Sequence, residues 1–264
     1  MSTVTRVTFL IMIVLITVVS MHAAIKSLGI TKSDWELLRR SALSFLHPER
    51  APYPVYAPWL YVTLFPIAAL PMRWGWATVI TLSLLVLALY TRSWWRALLL
   101  VSAYPVAYGV ILGQIDTLLV VALMLPLEWA TLVVSCKPIT LLPWLAMRYV
   151  REQRWVAVLP MAGVFAMSLV LWGLWPARLQ FDAVGMGTKA ASSWPRLLVV
   201  GVILLLGRDD EMAWLLAGLF LTPYLASYHM TPMLAYVYKH EKRAWPLVVY
   251  TAASWLAWGL GEWM

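Results

Sequence analysis

Asp34 opens the stretch "DWELLRRSA", a carboxylate followed by apolar residues at helical spacing. A carboxylate held near a hydroxyl can take its proton. Lys137 is a charge inside an otherwise apolar segment, "VVSCKPITLL". A charge within a segment of membrane character is a functional candidate; its plainer account is an ammonium snorkelling towards a headgroup. Gln114 and Asp116, in "GQID", are polar groups in apolar sequence and should line a bundle interior, unless they merely form a helix-end turn built on Gly113. His229 follows Tyr228 inside the uncharged run from Met212 to Tyr238. It is either an interfacial imidazole bonded to a neighbouring carbonyl or a group that holds a phosphate or tunes a nearby acid. Lys189 and Arg196 flank residues 176–193, as phosphate contacts or as ordinary interfacial charges. Four scattered histidines and one cysteine give no zinc spacing. "GVILGQ" and "GMG" lack the strand–turn–helix context of a phosphate-binding glycine loop, and no Ser-His-Asp set follows from spacing.

The elements that must position these groups are apolar helices. Of 264 residues 62% are apolar and only 12% charged, against about 25% charged in an ordinary soluble domain. Uncharged runs recur at Val7–Ala24, Ala51–Met72, Trp74–Thr91, Ala97–Ile115, Trp155–Ala177, Met212–Tyr238 and Ala244–Gly261. Their lengths match the roughly 17–25 residues of a membrane helix, and helices are the default spanning form because lipid leaves no backbone group a water partner. The reading is one integral-membrane domain, 1–264: an all-α polytopic transmembrane bundle of about 9–11 spans. Helices are expected at about 7–24, 57–72, 75–91, 95–112, 115–127, 130–147, 155–175, 194–207, 212–226, 228–239 and 245–261; Pro126, Glu128, Lys137 and Pro138 break 115–147 into two short spans or a re-entrant pair, and 212–239 is one long span or two short ones hinged near Pro223. Met1–Ala24 reads as an uncleaved first helix rather than a signal peptide. Many of the 17 tryptophans lie near run ends, as an interfacial aromatic belt does.

The net charge of +8 resides in short inter-helix loops and excludes a nucleic-acid reading. "RYVREQR" (148–154) and "KHEKR" (239–243) are the densest basic loops, and an even number of crossings separates them. They are placed in the cytoplasm, with the N-terminus inside, in the plasma membrane. Loop 25–56, loop 176–193 and the turn at 227–230 then fall outside, and so do Arg92, Arg96 and the five Lys/Arg of loop 25–56, against the rule. Within loop 25–56, Ser33 reads as an N-cap and Glu36 as its capping-box partner. Trp35, Leu38, Ala42, Phe45 and Leu46 follow at helical spacing up to His47-Pro48, an amphipathic helix on the membrane surface or over the bundle. On local pattern, Asp34 simply favours the helix dipole, and Lys32, Arg39 and Arg40 form a solvated face.

Several stretches carry a family likeness in order. They are "SDWELLRRSA" after a first apolar helix, "APYPVYAPWLYVTLFPIAALP" (51–71), "YPVAYGVILGQIDTLLVVALML" (104–125), "CKPITLLPWL" (136–145) with a basic loop behind it, and "LFLTPYLASYHMTPML" (219–234). Over about residues 30–240 the chain resembles GT-C type membrane glycosyltransferases. It is nearest the family-87 group of polyprenyl-phosphate-mannose-dependent mannosyltransferases. The resemblance implies transfer of a sugar, mannose in that group, from a polyprenyl-phosphate donor to a lipid or glycan acceptor at the outer face. It makes Asp34 the general base, and it gives His229 a role holding the donor phosphate or tuning Asp34. Tyr228, Gln114, Asp116 and Lys137, with Lys189 and Arg196, are the candidate donor contacts. No cofactor is implied beyond the lipid-linked sugar as substrate; the expected partners are membrane lipids, donor, acceptor and a possible membrane protein. The chain is shorter than usual for the group, has no Asp-x-Asp in its first outer loop, and has Asp116 where the family often has Asn. A non-catalytic GT-C-like subunit or scaffold is therefore the alternative, and a lipid or solute transporter the third reading, though no inverted repeat marks one.

Overall fold

The computed structural model describes residues 22, 34–44, 56–178, 194–221 and 227–262. The first helix at 7–24 (His22 apart), Ser33, most of loop 25–56, the loop 179–193 and the Tyr224 region lie outside the described residues. Among the described residues every regular element is helical. In chain order the α-helices are α1 (Asp34–Leu43), α2 (Pro58–Ala68), α3 (Met72–Thr91), α4 (Trp94–Ser102), α5 (Tyr104–Leu112) and α6 (Asp116–Leu119). They continue with α7 (Leu127–Cys136), α8 (Pro138–Glu152), α9 (Leu159–Trp172), α10 (Trp194–Leu206), α11 (Glu211–Leu221), α12 (Thr231–His240) and α13 (Ala244–Glu262). Two helical stretches, Met72–Thr91 and Trp155–Trp172, are long and apolar enough to cross a membrane; α4 and α5 together make a third if their bent pair is one span.

Proline decides where the expected longer helices break. Residues 95–112 were expected as one helix but bend by 84° between α4 and α5. Pro105 has no N–H to continue the ladder, and Ala103 takes an extended conformation with ψ 131. Helix α13 satisfies the freed backbone groups: the Tyr104 N–H donates to Ser254 Oγ at 3.0 Å, and Trp255 Nε1–H donates to the Ser102 carbonyl at 2.7 Å. Residues 130–147 break likewise at Lys137, which Pro138 forces out of helical geometry to φ −148, ψ 78.

Two corrections follow at the ends of the bundle. Residues 57–72 were expected to cross, but α2 holds 11 residues, a rise of about 16 Å against a core of about 30 Å. Both its ends stay near α1: Tyr56 lies beside Lys137, and Leu70 accepts hydrogen bonds from the Arg39 guanidinium at 3.2 and 3.3 Å. Counting runs puts Arg92 and Arg96 at the end opposite residues 239–243, whereas the structure puts them at the same end. Arg96 Nη1 donates to the carbonyls of Lys239 at 2.7 Å and Tyr238 at 3.2 Å, so the α3–α4 corner meets the α12–α13 corner. Arg151 reaches the Arg208 carbonyl, Arg148 the Leu125 carbonyl, and Arg154 pairs with Glu128. The basic corners thus gather at one end, opposite the end that holds α1.

The tightest helix approach is between α8 and α11. A Cβ on Gly218 would lie 1.9 Å from the Thr140 carbonyl oxygen, so only glycine permits the contact. Thr140 sits one turn after Lys137, and this contact fixes the start of α8.

Candidate functional site

The site is assembled by α1, the α5–α6 corner, the α7–α8 break and the turn before α12. Helix α1 is amphipathic as expected and docks on the bundle through Trp35, Leu38 and Ala42, all buried. Its outer face carries the exposed Arg40–Glu36 pair, which contributes little to stability. Phe45, Leu46 and the His47-Pro48 stop lie outside the described residues.

Trp35 is what sets the position of Asp34. Its side chain is fully buried in a cradle made by two glycines. A Cβ on Gly113 would stand 2.7 Å from Trp35 Cβ, and one on Gly75 3.1 Å from Trp35 Cζ2. Gly113 also takes φ +72 as it ends α5, a left-handed conformation that costs glycine little. Trp76 closes the cradle, and its Nε1–H donates to the Ile111 carbonyl at 2.9 Å. Gly113 thereby serves both accounts of "GQID": it makes the helix-end turn, and that turn sends Gln114 and Asp116 inward, where both are buried.

Gln114 Nε2–H donates to Asp34 Oδ2 across 80 residues of sequence. Asp116 Oδ2 accepts from Lys137 Nζ at 2.6 Å, and the two side chains are 1% and 3% exposed. Lys137 therefore does not snorkel. Its ammonium lies 5.3 Å from the Tyr228 ring centroid and 5.8 Å from that of Tyr56, an aromatic surround that favours a cation. Tyr228 fits because Gly109 has no side chain: a Cβ there would lie 2.7 Å from Tyr228 Cβ. The buried His229 ring stands edge-on to Tyr228 at 4.8 Å.

The fold thus brings Asp34, Gln114, Asp116, Lys137, Tyr228 and His229 to one place. Lys189 and the Arg196 side chain lie outside the described residues, although Arg196 falls in α10. Sequence reasoning missed Tyr56, Trp35, Trp76, Gly75 and Gly109 as positioning residues, and saw Gly113 only as the helix-end turn. It also named Asp116 and Lys137 separately without pairing them. The signal was available: two opposite charges in apolar sequence each need a buried partner.

Electrostatics distinguish the two carboxylates. Burial pushes the Asp34 carboxyl above the usual range; the Gln114 hydrogen bond and the Lys137 charge pull it back, and Asp116 adds to the rise. Asp34 is only partly buried, whereas Asp116 is sealed against Lys137. The arrangement offers one accessible carboxylate of raised basicity beside a fixed internal ion pair, the pattern of a proton acceptor. Among the described residues no three His, Cys, Asp or Glu side chains converge as a metal site would require. A scan against protein-family models, a search of curated proteins and a search of solved structures each returned no match for the chain.

Proposed function

We propose that the chain is a multi-pass membrane glycosyltransferase of GT-C type, with Asp34 as general base. It moves a sugar, mannose by resemblance, from a polyprenyl-phosphate donor to a lipid or glycan hydroxyl at the α1 end, which faces outward. The observation that carries the reading is the meeting of Asp34 with Gln114 beside the buried Asp116–Lys137 pair. Three stretches on which the family likeness rests supply these groups.

In the proposed step the acceptor hydroxyl attacks the anomeric carbon of the donor, the carbon–oxygen bond to phosphate breaks, and the polyprenyl phosphate leaves with the bonding electrons. Asp34 takes the hydroxyl proton, and Gln114 orients its carboxylate through Oδ2. Raised basicity suits this task, because a base works best with a pKa near the working pH. Lys137 is closed off from solvent and already bonded, so it acts on Asp34 through its charge rather than by touching the donor. Tyr228 stands beside Lys137 and His229 beside Tyr228, next to the same group of polar side chains. Lys189 and Arg196 remain the proposed contacts of the departing phosphate.

The scaffold alternative has one observation on its side. Val170 on α9 and Leu205 and Leu206 on α10 are 81%, 81% and 85% exposed, an apolar surface that suits partner helices as well as lipid. The experiment that separates the readings is polyprenyl phosphate release by the purified protein in lipid. It would use a panel of polyprenyl-phospho-sugars with membrane extract as acceptor and Asp34→Asn in parallel. Release by the wild type alone supports the enzyme. Equal release by both removes Asp34 as base, and release by neither, with a partner protein co-purifying, favours the scaffold.

A further inference from the structure

The cations gathered at the end opposite Asp34 take no part in that site. Arg92 ends α3 in a left-handed conformation with φ 53 and is exposed. Lys239, at the end of α12, holds its ammonium 4.2 Å from the Tyr90 ring centroid. Arg92 and Lys239 lie within range of each other's charge, and His240 within range of Lys239 and Arg96. Lys242 and Arg243 follow, both exposed. Two carboxylates stand near: Glu211, which accepts from Trp144 Nε1–H at 2.5 Å and faces Lys239 and His240, and Glu241, which accepts from the Arg243 backbone N–H at 2.8 Å. Among the described residues none of Arg92, Arg96, Lys239, Lys242 or Arg243 forms a salt bridge. Arg96 is held by the Tyr238 and Lys239 carbonyls and Lys239 by the Tyr90 ring, neutral partners that leave their charge available to an anion.

The surface next to these cations is apolar and aromatic. Trp94, Trp95 and Leu98 of α4 and Trp245, Val248 and Val249 of α13 are exposed. The two helices are packed together, with Thr251 Oγ1 bonded to the Leu99 carbonyl at 3.4 Å and Trp255 to Ser102. Tryptophans therefore lie beside the cations, and aliphatic side chains continue along the same two helices. That order matches a lipid: charged headgroup, interfacial ring, hydrocarbon. Basic pockets between membrane helices hold anionic headgroups, and guanidinium and ammonium groups both bind phosphate oxygens.

We infer that the corner formed by Arg92, Arg96 and Lys239 is a binding site for one anionic phospholipid. Its phosphate sits among these cations and its acyl chains lie along the exposed faces of α4 and α13. The site requires a membrane around the chain but does not depend on the glycosyl-transfer reading.

The test is native mass spectrometry of the full-length protein with phosphatidylglycerol and phosphatidylcholine added in equal amounts. Wild type retains phosphatidylglycerol about tenfold in preference, since three cations meet its net negative charge, whereas choline offsets the phosphate of phosphatidylcholine. Arg92→Gln with Lys239→Gln, which leaves Arg96 alone, brings the ratio down to about two, whereas Arg151→Gln with Arg154→Gln, also at the basic end, leaves it unchanged. If the first double variant does not fold, Arg92→Gln alone lowers the ratio about twofold, because Arg92 is exposed and its loss leaves the core intact. Equal retention of both lipids by wild type, or an unchanged ratio in the Arg92 variants, overturns the inference. So does displacement of the lipid by inorganic phosphate alone, which would make the corner a free-anion site.

Discussion

The Lys137–Asp116 pair gives the sharpest test of the site's construction. The two side chains are 3% and 1% exposed and lie 2.6 Å apart. At an effective dielectric constant of about 20, unit charges at that distance attract by roughly 6 kcal/mol, and the loss of water by both ions cancels most of it. Asp116 Oδ1 has no hydrogen-bond partner among the described residues. Lys137→Met therefore leaves a carboxylate buried with neither oxygen answered, at a cost of about 3–5 kcal/mol. Thermal unfolding in detergent, followed by tryptophan fluorescence, should show the midpoint fall by roughly 10 °C. Replacing both partners, Asp116→Leu with Lys137→Met, removes the stranded charge and should recover most of the loss. The reasoning is refuted if the single variant costs under about 1 kcal/mol, or if the double variant is as unstable as the single one. The single variant also carries a functional signature. Lys137 pulls the Asp34 carboxyl down, so its loss shifts the acid limb of transferase activity to higher pH.

Other outcomes follow from the same geometry. On the proposed function, Asp34 must be ionised to accept a proton, so transfer should fall as the pH drops through its pKa, which burial raises. A buried carboxyl with a raised pKa stabilises the fold most at low pH and loses that contribution as the pH rises through the folded value. Asp34→Asn should thus be no less stable than wild type near neutral pH while losing about 10²–10⁴-fold in transfer; a melt beside the release assay checks both. Gly113→Ala brings a Cβ to 2.7 Å from Trp35 at φ +72, and should cost about 2–4 kcal/mol from left-handed strain and overpacking together. The same variant should weaken transfer, because Trp35 carries Asp34; full activity with lowered stability would separate the two. Gly218→Ala drives a Cβ towards the Thr140 carbonyl and should destabilise by about 1–3 kcal/mol or more, measured by the same melt.

Much of the site was legible in the sequence for one reason. Polar groups in apolar sequence are costly, so Gln114, Asp116, Lys137 and His229 stood out by type alone. Their pairing was not legible, since Gln114 and Asp34 are 80 residues apart and no local pattern links them. Nor were the glycines: Gly75, Gly109 and Gly113 matter for what they leave empty, which only the neighbouring Trp35 and Tyr228 reveal. Hydropathy found the helices but overstated the continuity of 95–112, because Pro105 sits in a run whose composition reads as unbroken; the break at Pro138 was legible beside the charge of Lys137. Counting runs also put Arg92 and Arg96 at the end opposite residues 239–243, and only the Arg96 hydrogen bonds to the Tyr238 and Lys239 carbonyls reveal that they share one end.

The gathering of the basic corners has a consequence for how such a chain is oriented. Arg92 and Arg96, the 148–154 segment, Arg208 and the 239–243 segment arrive at one end by separate passages of the chain. Carrying each cation through a potential of 100 mV in the unfavourable sense costs about 2.3 kcal/mol. The preference for one direction is therefore stored several times over. Neutralising any single corner leaves the others voting the same way, so inversion of the molecule requires changes at several distant places in the sequence at once.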